Sequence, residues 1–145
     1  MSEINFFFED IKETAYHPKT LKRHVISLIL NELMEVGDIS IIFCSDVFLL
    51  EMNKEYLNHN YFTDIITFDY VEGSIISGDL FISLDRINDN AKSFETERIK
   101  ELYRVVFHGV LHLIGYNDKT GEEQKIMQGK ENYYLSEVDF GENEL

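Results

Sequence analysis

Basic side chains are scarce in this sequence, and cysteine, proline and long apolar runs are scarcer still. Among 145 residues there are 13 Lys and Arg against 27 Asp and Glu, a formal net charge of −14. That balance excludes a nucleic-acid binder that relies on a broad basic surface. The one cysteine, Cys44, excludes an intrachain disulfide and fits a reducing compartment. It follows the apolar run Ile39-Ser40-Ile41-Ile42-Phe43, so a buried strand thiol is expected. No apolar run approaches the roughly 20 residues that span a bilayer. The first ten residues, MSEINFFFED, lack the basic start and small-residue cleavage site of a signal peptide. A soluble, cytoplasmic protein with no membrane association is expected. No repeat of fixed period and no low-complexity stretch is present.

What is there is enough for a core. The chain is 44% hydrophobic and 13% aromatic, and its length fits one domain over residues 1–145. Ile4–Phe8 reads as a short apolar strand. The only proline, Pro18, opens a segment with apolar residues at Leu21, Val25, Leu28, Ile29, Leu33 and Val36, the spacing of an amphipathic helix that Gly37 would stop. Asp38–Cys44 is a strand. Ser45 is placed as an N-cap for a helix to Tyr56, which Asn58-His59-Asn60 breaks. Asp64–Tyr70 and Gly78–Ser83 are strands joined closely enough to pair antiparallel. Helices follow from Ser83 or Leu84 to about Phe94, and from about Glu97 to Ile114 with Gly115 as stop. Thr120-Gly121-Glu122-Glu123 has capping-box spacing and opens a last helix to about Glu137. The expected fold class is α+β: one small mixed sheet packed by several helices, one of them a zincin-like metal helix.

The segment that carries chemistry is His108-Gly109-Val110-Leu111-His112-Leu113-Ile114-Gly115-Tyr116-Asn117-Asp118. Residues four apart share a helix face, so His108 and His112 can bind one ion from adjacent turns. Gly115 lets the chain turn back, and Asp118 follows three residues later. The pattern H-x-x-x-H-x-x-G-x-x-D follows the metzincin ligand spacing with Asp as third ligand. Three protein ligands leave a coordination position open, as in catalytic rather than structural sites. Two histidines at helical spacing also arise as a packing accident, and Asp118 can instead cap the next helix or be solvated. The flanks Val105, Val106, Phe107, Val110, Leu111, Leu113 and Ile114 make the helix apolar almost all round, so two buried imidazoles there need partners. The added glycine and acid favour the metal. In H-E-x-x-H proteases the Glu beside the first His is the general base; here Gly109 holds that position, and a phosphodiester suits the site better than a peptide.

At this segment the sequence resembles the YbeY family of rRNA maturation endoribonucleases, whose hallmark reads His-Gly-x-Leu-His-Leu-x-Gly-Tyr-Asp-His. Asn53-Lys54-Glu55-Tyr56, Thr63-Asp64-Ile65-Ile66-Thr67-Phe68 and Gly78-Asp79-Leu80-Phe81-Ile82 resemble its upstream segments, in the same order. The resemblance implies a zinc-dependent, single-strand-specific endoribonuclease of small-subunit rRNA 3′-end maturation and ribosome quality control. Its partners would be single-stranded RNA, small-subunit rRNA and the ribosome or a ribosomal protein. It implies one Zn2+ per chain on His108 and His112, with Asp118 where the family has a third His. The carboxylate makes the site harder and eases entry of manganese or another divalent transition metal. Thr63 and Asp64 are carried over as substrate-binding candidates. The family's catalytic arginine is replaced by Leu57, so a bidentate phosphate clamp is missing. Its lysine is replaced by His59, a catalytic candidate able to donate to a phosphate when protonated, or else a free surface histidine.

The charge must be reconciled with an RNA substrate. Lys19, Lys22 and Arg23 gather at one helix start, and Arg98, Lys100 and Arg104 precede the metal histidines; such local fields act within a Debye length of about 8 Å. Tyr61, Phe62, Tyr116, Tyr133 and Tyr134 are candidates to stack on bases, or to pack. Most of Glu95, Glu97, Glu101, Glu122, Glu123 and Glu131 are expected on solvated helix faces. Two alternatives stand beside the nuclease: a ribosome-associated assembly factor with a structural metal, and a metal hydrolase of another class.

Overall fold

The computed structural model describes residues 2–12 and 16–140. Its elements run β1 (Ile4–Phe8), α1 (Pro18–Asn31), β2 (Glu35–Cys44), α2 (Asp46–Leu57), β3 (Ile65–Asp69), β4 (Ile75–Ser83), α3 (Leu84–Ser93), α4 (Arg98–Ile114) and α5 (Gly121–Ser136). The sheet order is β1-β2-β4-β3. β1, β2 and β4 are parallel, and β3 closes the edge antiparallel to β4, with Ile66 opposite Phe81. The α+β expectation holds, as does the pairing of β3 with β4. The hinge between them is the short turn at Gly73, whose φ of 60° suits glycine.

Strand periodicity divides the core. Ile39, Ile41 and Phe43 of β2 and Ile76, Leu80 and Ile82 of β4 point to one face, where α1 and α4 cover them. Cys44 and Ile66 belong to a smaller cluster on the other face, closed by Leu49 of α2 with Phe48, Phe68 and Phe81. Cys44 is buried as expected, and that burial, reinforced by nearby acids, pushes its thiol up to about 12. Ser45, Ser83 and Thr120 are N-caps, accepting from the backbone N–H groups of Phe48, Arg86 and Glu123, and Thr120 with Glu123 completes the capping box.

β4 begins at Ile75 rather than Gly78, and α1 departs furthest from its sequence pattern. α1 ends at Asn31, not at Gly37. Leu33 adopts φ 63°, its N–H donates to Leu30 O, and Met34 N–H donates to Ile29 O, which is the Schellman closure with leucine where glycine is usual. Val36 and Gly37 therefore belong to β2. The ladder slips between Val36 and Ile39, and a Cβ on Gly37 would run into Ser77 Oγ.

α4 approaches the sheet closely because it carries glycine where it crosses β3 and β4. A Cβ on Gly109 would lie 2.6 Å from Ile65 Cδ1 and 3.0 Å from Leu80 Cδ1. The helix is thereby seated with His108 and His112 at the rim of the sheet.

Candidate metal centre

His108 and His112 are one turn apart on α4, rings 4.6 Å between centroids. Beyond Ile114 the helix stops: Gly115 has φ 123°, its N–H is shared by Leu111 O and His112 O, and Tyr116 N–H reaches Leu111 O. The chain then folds back along the helix end. Asp118 Oδ2 arrives 3.2 Å from His108 Nε2 and 3.3 Å from His112 Nε2. The three side chains are 24, 26 and 39% exposed, so the point where they converge opens to solvent. Asp118 does not cap α5; Thr120 does, and Gln124 Nε2 donates to the Asp118 carbonyl instead.

The other nitrogen of each ring is spoken for. His112 Nδ1 is 2.9 Å from the Tyr116 carbonyl, which only accepts, so this nitrogen carries the hydrogen. His108 Nδ1 is 2.6 Å from Glu131 Oε2. The second oxygen of Glu131 accepts from Arg104 Nη1 at 2.9 Å, and Arg104 also donates to Asn132. Glu131 is thus a buried acceptor, 5% exposed, with one oxygen on an arginine and the other on His108. With a hydrogen on each Nδ1, the two rings turn their Nε2 atoms toward a carboxylate oxygen. Three lone pairs facing one another at these distances repel unless a cation, a proton or a metal ion, sits among them.

A metal ion fits. The ligating atoms of His108, His112 and Asp118 all lie within 4.8 Å of one another. Tetrahedral ligands about 2.1 Å from zinc sit about 3.4 Å apart, close to the observed 3.2 and 3.3 Å. Two imidazoles and one carboxylate form the donor set of a catalytic zinc site, and each imidazole has the hydrogen-bonded second nitrogen that such ligands show. The electrostatics agree: burial opposes the charge of His108, but Glu131, Asp64 and Asp118 outweigh it and raise its pKa.

His108 and Asp118 line a cleft of about 330 Å³ together with Asp64, Asn90, Glu101 and Arg104. Asp64, carried over as a substrate-binding candidate, is therefore beside the metal residues, its carboxyl raised mainly by burial. Thr63 Oγ1 makes a long 3.4 Å contact with Ile65 O within its own loop. His59 lies elsewhere: it is exposed, stacks on Tyr61 with ring centroids 5.1 Å apart, and shares a hydrogen bond with its hydroxyl. Neither His59 nor Leu57 lines the cleft. The loop that carries His59 is tied to Asn53 of α2, whose side chain donates to Tyr61 O and whose carbonyl accepts from His59 N–H.

Several surface expectations change. Glu101 and Glu131 are buried rather than solvated, because α4 and α5 turn them toward Arg104, and Glu131 toward His108 as well. Arg98 donates to Asn88, and Lys100 lies over the Phe140 ring, so these cations already have partners. Lys19 and Lys22 do share one face, beside β1. Tyr116 and Tyr134 direct their hydroxyls to Glu32, and Tyr134 is buried, whereas Tyr61, Phe62 and Tyr133 are exposed. Sequence reasoning missed Glu131, although it lies ten residues after Gly121 on the helix that follows the ligands. The position opposite His108 becomes visible only once α5 folds back on α4.

An α+β fold with a His-His-Asp triad at the end of a buried helix defines a candidate hydrolytic metal centre. The family model described as Endoribonuclease YbeY matches residues 5–139, and the chain belongs to that family. It is 48% identical over 133 residues to the Endoribonuclease YbeY of Parabacteroides distasonis, covering 92% of this chain and 94% of that one. It is 57% identical over 101 residues to that of Phocaeicola vulgatus, covering 70% and 73%. The solution structure of a Thermotoga maritima protein superposes with a TM-score of 0.66 at 26% identity, covering 93% of this chain and 88% of that one. Among the described residues no helix is long and apolar enough to cross a membrane.

Proposed function

We propose that this chain is a metal-dependent endoribonuclease, specific for single strands, that acts in 3′-end maturation of small-subunit rRNA and in ribosome quality control. The observation that carries the metal is the convergence of His108 Nε2, His112 Nε2 and Asp118 Oδ2 when both Nδ1 atoms are already committed to acceptors. Family membership supplies the reaction class. These three residues would hold one Zn2+, or another divalent transition metal given the carboxylate. Such an ion supplies charge stabilisation at a phosphoryl oxygen and lowers the pKa of a bound water to about 7.

The chain's own groups do the rest. Glu131 and the Tyr116 carbonyl keep a hydrogen on each Nδ1 and so keep both Nε2 atoms available. Asp64, at the cleft and with a raised pKa, is placed to hold or accept a proton near His108. Gly109 offers no base, and Ile65 and Leu80 occupy the space a side chain there would need. That geometry speaks against the peptidase-like alternative. Leu57, exposed where the family places its arginine, offers no phosphate clamp and favours weak catalysis. This is the specific ground for the second reading, an assembly factor on the ribosome whose metal is structural.

The test uses pure protein on a defined single-stranded RNA. About one transition metal per chain, cleavage lost on chelation and restored by zinc or manganese, and loss of both metal and cleavage in His112→Ala support the proposal. Metal retained by His112→Ala would overturn the site. Metal bound at full occupancy with binding to small-subunit particles but no cleavage would decide for the assembly factor.

A further inference from the structure

Tyr116 makes two contacts with two different atoms. Its carbonyl accepts from His112 Nδ1 at 2.9 Å, and its hydroxyl donates to Glu32 Oε1 at 2.5 Å. It lies between the helix stop Gly115 and the ligand Asp118, so what fixes Tyr116 also fixes the short arc that delivers Asp118. Glu32 comes from a distant part of the chain, at the C-cap of α1. Its side chain is only 7% exposed. Besides Tyr116 it accepts from Tyr134 Oη and from Lys130 Nζ, the latter at 3.0 Å, and Asn31 in turn donates to Tyr134 Oη. Lys130 Nζ also stands 5.4 Å over the Tyr116 ring. The end of α1, the helix α5 and the ligand-bearing loop therefore meet at one carboxylate.

A carboxylate at a helix C-terminus faces the negative end of the dipole, an unfavourable place for it. Burial disfavours its charge further, and the donors from Tyr116, Tyr134 and Lys130 more than offset this, leaving its pKa lowered. For α1 alone this charge is a burden; its three partners all lie on or beside the metal-bearing half of the molecule.

We propose that Glu32 is a positioning residue for the metal centre: through Tyr116 it sets the orientation of His112 and the arrival of Asp118. The inference rests on the reading of His108, His112 and Asp118 as metal ligands. Outer partners of a ligating histidine commonly change metal affinity about tenfold or more when removed. Here the outer partner is a backbone carbonyl that mutation cannot delete, so its position is governed by the hydroxyl–carboxylate contact on the same residue.

Zinc affinity is measured by competition with a chromophoric chelator for the wild type, Glu32→Gln, Tyr116→Phe and the double variant. The cobalt-substituted proteins supply absorption spectra, and the metal-free proteins supply melting temperatures. Each single variant is expected to weaken zinc binding about tenfold and to shift the cobalt ligand-field bands. The double variant should be no weaker than the weaker single one, because both remove the same contact. If Glu32→Gln fails to fold, Tyr116→Phe carries the test alone. Unchanged zinc affinity and unchanged cobalt bands, with only a lower melting temperature, would reduce Glu32 to a structural tie and overturn the inference. Additive losses in the double variant would overturn the route through Tyr116. His112→Ala separates the two levels: if it binds zinc as the wild type does, the metal reading itself fails; if it does not and Glu32→Gln does, only the inference fails.

Discussion

Arg104, half-buried, pairs with the buried Glu131, 2.9 Å from Nη1 to Oε1, and the other Glu131 oxygen is turned onto His108 Nδ1. The arginine occupies one oxygen of the carboxylate and so fixes the direction in which the other points. That direction in turn fixes which nitrogen of His108 carries the hydrogen. Glu131→Gln preserves shape but supplies a neutral amide. Zinc affinity should fall about 10- to 100-fold, read by chelator competition, while the far-ultraviolet circular dichroism stays that of the wild type. An affinity within twofold of wild type would remove Glu131 from the centre.

Two glycines seat the metal helix, and they should differ in what a methyl group costs. A Cβ on Gly78 would fall 2.5 Å from the Phe68 carbonyl of the paired strand and 2.8 Å from Leu113 Cδ2. Backbone cannot give way there without breaking the ladder. At Gly109 the obstacles are the ends of the Ile65 and Leu80 side chains, which can turn. Overpacking of this kind costs about 1–3 kcal/mol, and at Gly109 the gain in helix propensity, about 1 kcal/mol, offsets part of it. Denaturant unfolding should therefore rank Gly78→Ala as the more damaging change, with Gly109→Ala destabilised by less.

Glu101 is a buried acid at the floor of the same cleft, 4% exposed. Burial raises its pKa; the charge of Arg104, with Nε 3.9 Å away, and a hydrogen bond from Asn90 work in the opposite direction without cancelling it. For an acid whose folded pKa lies above its unfolded value of 4.5, the folded state holds the extra proton between the two. Its contribution to stability falls as the pH rises through that window, and the full penalty is present above the folded pKa. Glu101→Gln should raise the melting temperature at pH 7, with the gain shrinking to nothing below about pH 4. A variant less stable than wild type at pH 7 would mean that the ion pair with Arg104 outweighs the burial penalty.

Much of this was legible in the sequence, for reasons that can be named residue by residue. His108, His112, Gly115 and Asp118 lie within eleven consecutive residues, and local helix geometry plus one glycine stop are enough to bring them together. The caps Ser45, Ser83 and Thr120 are local too. What was hidden depends on tertiary approach. Leu33 takes a left-handed conformation that the sequence does not advertise, so α1 reads too long. Glu101 and Glu131 look like members of an acidic helix surface until α4 and α5 pack and bury them with Arg104. Glu32 reaches Tyr116 across 84 positions, a separation at which no spacing rule operates.

The replacement of the family's arginine by Leu57 lends itself to reversal. Leu57 is the last residue of α2 and is 43% exposed. At an exposed helix C-terminus the charge of an arginine would face the negative end of the helix dipole, a favourable place for a cation. Stability should change by no more than about 0.5 kcal/mol. A guanidinium also provides the planar pair of donors that binds a phosphate bidentately, which leucine cannot. If the chain is a nuclease limited by weak hold on its substrate, Leu57→Arg should raise kcat/KM on single-stranded RNA about tenfold, because one charge-assisted hydrogen bond contributes about 1.5–3 kcal/mol. The gain should shrink at high salt, as a phosphate contact requires. Equal cleavage by both proteins across a salt series would show that the arginine position plays no part in this chain's catalysis.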